Sequence, residues 1–425
     1  MDAVFDAHYR VVQHAFATQE GGDPLDIAVR PNGEVDYIFA RDHLLVALED
    51  PNTDLPDSEL VRSDRNIANV LAGLPGIRFV ERRGRVAVLA VDRLEGGFLR
   101  VPDAVTLLED RLRGTVEVDG PVPLVSPDHL VHVERLCSAI EPELPSGMVR
   151  PWPEQRPCDP DELAVRVALV DSGFIHPLPP ELDWLTGVDG EDDALVPIPG
   201  GVLIPPFAGH GTFVAGVARC QAPRAVIRVG DELNICGASL ESKLAHKVDQ
   251  MIKDFDPSVV NISSGAYTRR SRALLSFADF EVRHPEVVVV CAAGNDRTDL
   301  PLYPAAFDWA VAVGALGPDQ ENRAWFSNFG PHVDVFTLGE GHVNAFPTGE
   351  YRYHEPPKVP AQQKFRYPLA RWDGTSFAAP VISGMIAAGV RPGRTAMQVK
   401  DDLLAAAAFD PVVGGRVIKV PGVTC

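Results

Sequence analysis

Residues 165–174 read VRVALVDSGF, a nearly unbroken apolar run that stops at an aspartate, a serine and a glycine. A strand with one wet face alternates apolar and polar residues, whereas a continuous run suits a strand covered on both faces, as in a parallel sheet between helices. Four runs of the same kind follow: AVIRVG (225–230), SVVNIS (258–263), EVVVVCAA (286–293) and AVAVGAL (310–316). Between AVIRVG and SVVNIS, SLESKLAHKVDQMIKDF (239–255) sets Leu240, Leu244, Val248, Met251 and Ile252 on one helical stripe. The expected fold class is therefore α/β, a doubly wound parallel sheet. Such sheets carry their working residues at the carboxyl ends of the strands.

Upstream the pattern differs. DHLLVALED, IRFVERRGRVAVLAVD and PDHLVHVERL read as strands, while DRNIANVLAG and PDAVTLLEDRL read as short helices, which gives a smaller α+β N-terminal domain over residues 1–141. The similarity of ARDHLLVAL to SPDHLVHV hints at an internal duplication. Six prolines in the 19 residues PELPSGMVRPWPEQRPCDP (142–160) exclude a helix or central strand and mark a linker over 142–162, before a domain running from 163 to 425.

The formal charge of −20, with both halves acidic, argues against nucleic acid or an anionic membrane as partner, because each requires clustered Lys and Arg. No run reaches the length of a membrane span, and the acidic start MDAVFDAHYRVVQHAF lacks the charge of a secretion signal. Cys137, Cys158, Cys220, Cys236, Cys291 and Cys425 lack the paired spacing of a zinc site and fit reduced thiols, so a cytoplasmic location is expected.

Four polar residues follow buried-looking strands or open helices of small residues: Asp171 in VDSGF, His210 in GHGTFVAGVA, Asn295 in VVVVCAAGN and Ser376 in GTSFAAP. Taken singly, Asp171 reads as a cap or turn residue, His210 as a packed histidine, Asn295 as a positive-φ turn residue and Ser376 as a helix cap. Together they are the groups that nucleophilic acyl transfer requires: a hydroxyl, an imidazole base, a carboxylate that orients it, and a neutral donor for the oxyanion. A serine at a helix N-terminus also faces backbone N–H groups that stabilise developing negative charge. Ala378 and Ala379 let that helix approach the sheet without covering the hydroxyl.

VALVDSG, GHGTFVAGV and GTSFAAPVISG, in that order and with AAGN between the last two, resemble the motifs of the subtilisin-like serine peptidases. YPAAFDWAVAVGAL and FSNFGPHVDVFTLG extend the resemblance, which covers roughly residues 163–392. It implies a serine endopeptidase with catalytic Asp171, His210 and Ser376, with Asn295 in the oxyanion hole. It also implies that the substrate pairs along Ser264 and Gly265, and that Ala292, Ala293 and Gly294 wall the pocket for an apolar side chain before the cut. The expected partners are peptide or protein substrates, with no nucleic acid and no membrane.

Phe213 and Phe377 depart from the family's usual histidine and methionine without removing a catalytic group. A sedolisin-type centre is contradicted by His210 and Asn295, and a catalytically silent scaffold remains the alternative. The N-terminal domain reads either as an intramolecular inhibitor and folding chaperone, cut off between about Leu144 and Glu162, or as a permanent regulatory domain. The long stretch 340–373, with Phe346, Tyr351, Tyr353, Phe365, Tyr367 and Trp372, reads as a cleft-edge or partner-binding element or as a plain surface insertion. No metal or cofactor is required. The acids of VDGEDD around Asp192 and Asp193 would suit calcium, though a solvated loop is the simpler reading.

Overall fold

A computed structural model of the chain describes residues 3–18, 24–50, 55–91, 100–112, 120–133, 141–355 and 358–421. Cys137, Cys425 and the end of the PDHLVHVERL run lie outside them.

In the N-terminal part, helix α1 (Ala3–Thr18) precedes strands β1 (Leu25–Val29) and β2 (Val35–Ala47). Helices α2 (Asp57–Ser63) and α3 (Arg65–Gly73) lead into the hairpin β3 (Ile77–Arg83) and β4 (Val86–Val91), and α4 (Val101–Leu112) leads into β5 (Val125–His132). Asp64 begins α3 by accepting the Ile67 N–H at 3.0 Å, which occupies one of the donors left open at any helix start.

Downstream come β6 (Arg166–Val170), the short strands β7 (Asp189–Gly190), β8 (Val196–Ile198) and β9 (Gly201–Ile204), helix α5 (His210–Gln221), β10 (Val226–Gly230) and β11 (Ala238–Leu240). Helix α6 (Glu241–Phe255), β12 (Val259–Ile262), α7 (Phe280–Arg283), β13 (Val288–Ala292), β14 (Ala310–Leu316) and β15 (Val335–Leu338) continue the alternation. The stretch 340–373 folds as β16 (His342–Ala345), β17 (Gly349–Arg352), β18 (Gln362–Phe365) and β19 (Leu369–Trp372). Helices α8 (Thr375–Gly389) and α9 (Ala396–Ala406) and strands β20 (Ala408–Asp410) and β21 (Gly415–Val417) follow.

The main sheet has the order β20-β21-β15-β14-β13-β12-β6-β10-β7, parallel throughout except for the β20–β21 pair. From β6 the chain steps outward to β10, then returns to β12 on the other side of β6. The carboxyl ends of β6 and β12 therefore flank a switch point, where an open α/β sheet leaves a crevice. Each face has its own core: Phe213, Val217, Ala378 and Ile382 of α5 and α8 cover one, and Leu244, Val248 and Ile252 of α6 the other. The doubly wound α/β class expected from the apolar runs is the observed one. Of the helical stripe, Leu240 instead ends β11 and Met251 is half-buried.

The second sheet, β11-β5-β2-β4-β3 with β1 beside β2, is not made by the N-terminal residues alone. Strand β5 runs against β2 as far as His129, then pairs Leu130, Val131 and His132 with Leu240, Ser239 and Ala238 of β11. The Pro-rich stretch is irregular, as its missing donors require, but it is tied down: Glu143 pairs with Arg371 of β19 and Trp152 with Val343 of β16. Of the aromatic residues of 340–373, Tyr367 is exposed and Tyr353 half-buried, whereas the other four turn inward. Phe346, Tyr351, Phe365 and Trp372 are buried, with Phe346 packed 4.7 Å from Phe365 and 5.8 Å from Trp372.

Candidate active site

Asp171 follows the last residue of β6 and is fully buried. Its Oδ1 accepts the Ser172 N–H at 2.8 Å and lies 2.7 Å from His210 Nδ1. An ionised carboxylate only accepts, so the proton of this pair sits on Nδ1, and in the neutral ring Nε2 is the nitrogen with the lone pair. That Nε2 has no hydrogen-bond partner among the described residues. His210 reaches this position because α5 starts against the end of β6: a Cβ at Gly211 would stand 2.4 Å from the Gly173 carbonyl oxygen and 3.2 Å from Asp171 Cβ. Trp372 meets the imidazole edge-on at 5.3 Å, and Phe377 lies at the same distance, so two aromatic rings hold the base in place.

Ser376 is the second residue of α8 and is 2% exposed. Its hydroxyl donates to the Ser263 carbonyl oxygen at 3.1 Å and not to His210. Pro380 sits inside the same helix. It lacks the N–H that would bond the Ser376 carbonyl, and Ser263 Oγ donates to that carbonyl instead at 3.0 Å. Ser263, the residue after β12, accepts from Asn261 Nδ2 at 2.8 Å, and Asn261 Oδ1 accepts from Ser383 Oγ at 3.0 Å. The start of α8 is thus bound to the switch-point strand at three levels.

Asn295 Oδ1 accepts both the Thr375 N–H and the Thr375 hydroxyl, each at 2.9 Å. A backbone N–H bonds only to the oxygen of an amide, so these contacts settle which end is Oδ1 and turn Nδ2 the other way. The Thr375 hydroxyl also accepts the Gly294 N–H at 3.1 Å, which joins the loop after β13 to the helix that carries Ser376. Asn328 braces the same loop: it donates to the Ala293 carbonyl at 2.8 Å and accepts the Asp296 and Thr298 N–H groups at 3.0 and 3.2 Å.

The five residues read as substrate-binding lie on two neighbouring strand ends. Ala292 ends β13, and Ala293 continues it by donating to the Val313 carbonyl at 3.0 Å. A Cβ on Gly265 would come within 2.6 Å of Leu302 Cδ2, and one on Gly294 within 2.9 Å of the same atom, so both glycines face one wall. Ser264 is buried, and its hydroxyl has no hydrogen-bond partner among the described residues. Gly265 already pairs with a strand: His132 N–H donates to its carbonyl at 3.0 Å, and its own N–H donates to the His132 carbonyl at 2.9 Å. Val133 N–H donates to the Gly237 carbonyl at 2.9 Å, just before β11. Residues 130–133 therefore run between β11 and Gly265.

Polar contacts hold the N-terminal part there. Asp128, fully buried, accepts from the N–H of Ser242 (3.1 Å) in the first turn of α6 and from its hydroxyl (2.6 Å). Burial alone would depress His43, but Asp128 and Asp42, at 3.0 and 2.9 Å from its two ring nitrogens, outweigh it and hold the imidazole up at about 9. Glu109 accepts from Arg269, Arg270 and Arg272 at 2.9–3.0 Å. In the acidic stretch considered for calcium, Asp193 accepts the Gly209 N–H at 2.5 Å, and burial, with Asp171 nearby, pushes its carboxyl up to about 7.

The arrangement brings Asp171 and His210 into contact and sets Asn295 and Ser376 on either side of Thr375. A family model, that of the Subtilase family (peptidase S8), matches residues 164–415. The chain belongs to the subtilase family. Among curated relatives, the thermophilic serine proteinase of Bacillus sp. (strain AK1) is 28% identical over 251 residues, which are 55% of this chain and 54% of that protein. The subtilisin-like proteinase Mp1 of Magnaporthiopsis poae is 31% identical over 193 residues, 42% of this chain and 43% of that one. The chain spans about half the length of these curated relatives. A crystal structure of a cold adapted subtilisin-like serine proteinase aligns with a TM-score of 0.47 at 20% identity, covering 61% of this chain and 90% of the other.

Sequence reasoning missed Ser263, Thr375, Asn328 and Leu302 as site residues of this subtilase. Thr375 and Ser263 stand beside named residues and were legible as neighbours. Asn328 and Leu302 enter only through the folding of their loops.

Proposed function

We propose that the protein is a serine endopeptidase held closed by its own N-terminal strand. Ser376 is the nucleophile, His210 the general base and then acid, Asp171 the group that orients and stabilises the imidazolium, and Asn295 Nδ2 with the Ser376 N–H the oxyanion donors. The observation that carries the reading is the Asp171–His210 contact at 2.7 Å, with Nε2 left as the one unpartnered nitrogen of a buried ring. To engage it, the Ser376 hydroxyl leaves the Ser263 carbonyl by rotation about χ1. Catalytic hydrogen bonds often close only when substrate is bound.

The pairing of residues 130–133 with β11 and Gly265 supports the regulatory half. A peptide substrate added along Ser264 and Gly265 would form these same backbone bonds, so strand and substrate compete for one place. Residues 1–141 then act as an intramolecular inhibitor, and the small residues Ala292, Ala293 and Gly294 leave room for an apolar side chain before the cut. The four described cysteines are free thiols, which supports a reducing, cytoplasmic setting. No helix among the described residues is long and apolar enough to cross a membrane.

Fluorophosphonate labelling of the full chain tests the chemistry: label on Ser376 in wild type and none in Ser376→Ala is expected, and a folded wild type that never labels under opening conditions overturns it. Mass spectrometry of the two chains tests the fate of the inhibitor. Cleavage beyond Val133 in wild type alone indicates autoprocessing, and an intact wild type indicates a retained domain.

A further inference from the structure

Away from Ser376, His8 of α1, His354 and Glu355 gather between the N-terminal helix and the stretch 340–373, with one ligand atom of each within 4.8 Å of the others. His8 and Glu355 are each 2% exposed. Among the described residues, neither ring nitrogen of His8 has a hydrogen-bond partner, nor does Nε2 of His354 or Oε2 of Glu355. Buried polar atoms without partners are costly, so four of them on three converging side chains call for an occupant.

We propose that His8, His354 and Glu355 bind a divalent transition-metal ion of the zinc type. Two imidazoles and a carboxylate are a borderline donor set suited to zinc, whereas calcium and magnesium prefer oxygen alone. The spacing fits. Glu355 Oε1 lies 3.6 Å from His8 Nδ1 and 3.8 Å from His354 Nε2, against the roughly 3.3 Å between donors of a tetrahedral zinc site. The second ring nitrogen of His354, Nδ1, lies 2.8 Å from Oε1 of the buried Glu141. A carboxylate behind a ligating histidine is what sets its tautomer and raises its affinity. Glu141 is itself fixed, accepting from Tyr351 Oη at 3.2 Å and from the His354 N–H at 3.0 Å.

The site ties α1 to the stretch that carries Trp372, and the His8 ring stands 5.7 Å from that of His132, next to the strand against Gly265. Metal binding thus fastens the N-terminal helix over the cleft. Only this consequence rests on the proposed closed peptidase, so it is tested in the inactive Ser376→Ala full chain, where self-cleavage plays no part.

Zinc titration followed by dialysis and elemental analysis should leave one tightly held equivalent and raise Tm relative to chelator-treated protein. His8→Ala and His354→Ala should lose that equivalent and the Tm shift, and Glu141→Gln should bind about 10–100-fold more weakly. Deleting the buried His8 ring also leaves a cavity among His132, Phe207 and His354, so circular dichroism of the chelated variants against chelated wild type is the control that separates lost binding from misfolding. Hydrogen exchange in α1 and residues 342–372 should slow with zinc but not with calcium or magnesium. The proposal is overturned if no zinc is retained, if the His variants bind as wild type does, or if calcium binds in zinc's place. Zinc retention without slower exchange refutes the fastening role alone.

Discussion

Val133→Pro isolates one contact of the strand proposed to close the cleft. The substitution removes one donor, the N–H that reaches the Gly237 carbonyl at 2.9 Å, and leaves that acceptor unpaired. The pairing of β5 with β2 lies upstream, at Val125–His129, and is untouched. His132, now preceding a proline, is held to the extended region it already occupies at the end of β5. An orphaned buried carbonyl costs about 1–3 kcal/mol, all of it borne by the closed form. The open fraction should therefore rise about 5- to 150-fold. The readout is the initial rate of peptide hydrolysis by full-length chain shown intact by mass, with Ser376→Ala, Val133→Pro as blank. A matching rise in rate is expected while the strand remains mostly closed. An unchanged rate, in protein whose residues 130–133 exchange amide hydrogens faster than in wild type, would refute the view that the strand occupies the substrate's place.

Asn295→Ala should lower kcat with little change in KM, because its donor strengthens only in the transition state; one such donor is worth about 10²–10³-fold in subtilisin itself. An equal loss carried by KM alone would contradict the role. His43 is held up at about 9 against an ordinary 6.5, so its share of stability is complete below pH 6.5 and lost as pH rises through 9. That share is about 3 kcal/mol, and Tm measured from pH 6 to 10 should fall more steeply in wild type than in His43→Gln. Asp193 is raised from 3.8 to about 7, so its share is complete below 3.8 and lost as pH rises through 7. In that window, worth about 4 kcal/mol, Asp193→Asn keeps an acceptor for Gly209 and should flatten the decline of Tm. A slope equal to wild type's would refute the assignment.

The parallel sheet was legible because strands buried on both faces must be apolar throughout: Val167, Leu169, Val260, Val290 and Val313 announce their burial by type. Asp171, His210, Asn295 and Ser376 were legible because each sits at a strand end or helix start inside a local motif. The direction of the Ser376 hydroxyl was not, since Pro380 and Ser263 settle it together from 113 residues apart in the case of Ser263.

The amino-acid sequence by itself determined the sheet class and nominated the candidate reactive groups, because local periodicity and short motifs encode both. Only the tertiary structure decided what pairs with Gly265 and what gathers around His8. Pairing of His132 with Gly265, and of His8 with His354 and Glu355, is a matter of backbone bonds and of side chains distant along the chain. Neither leaves a periodic trace in composition, because a backbone N–H is the same in nearly every residue and a ligand is defined only by the neighbours that folding brings to it.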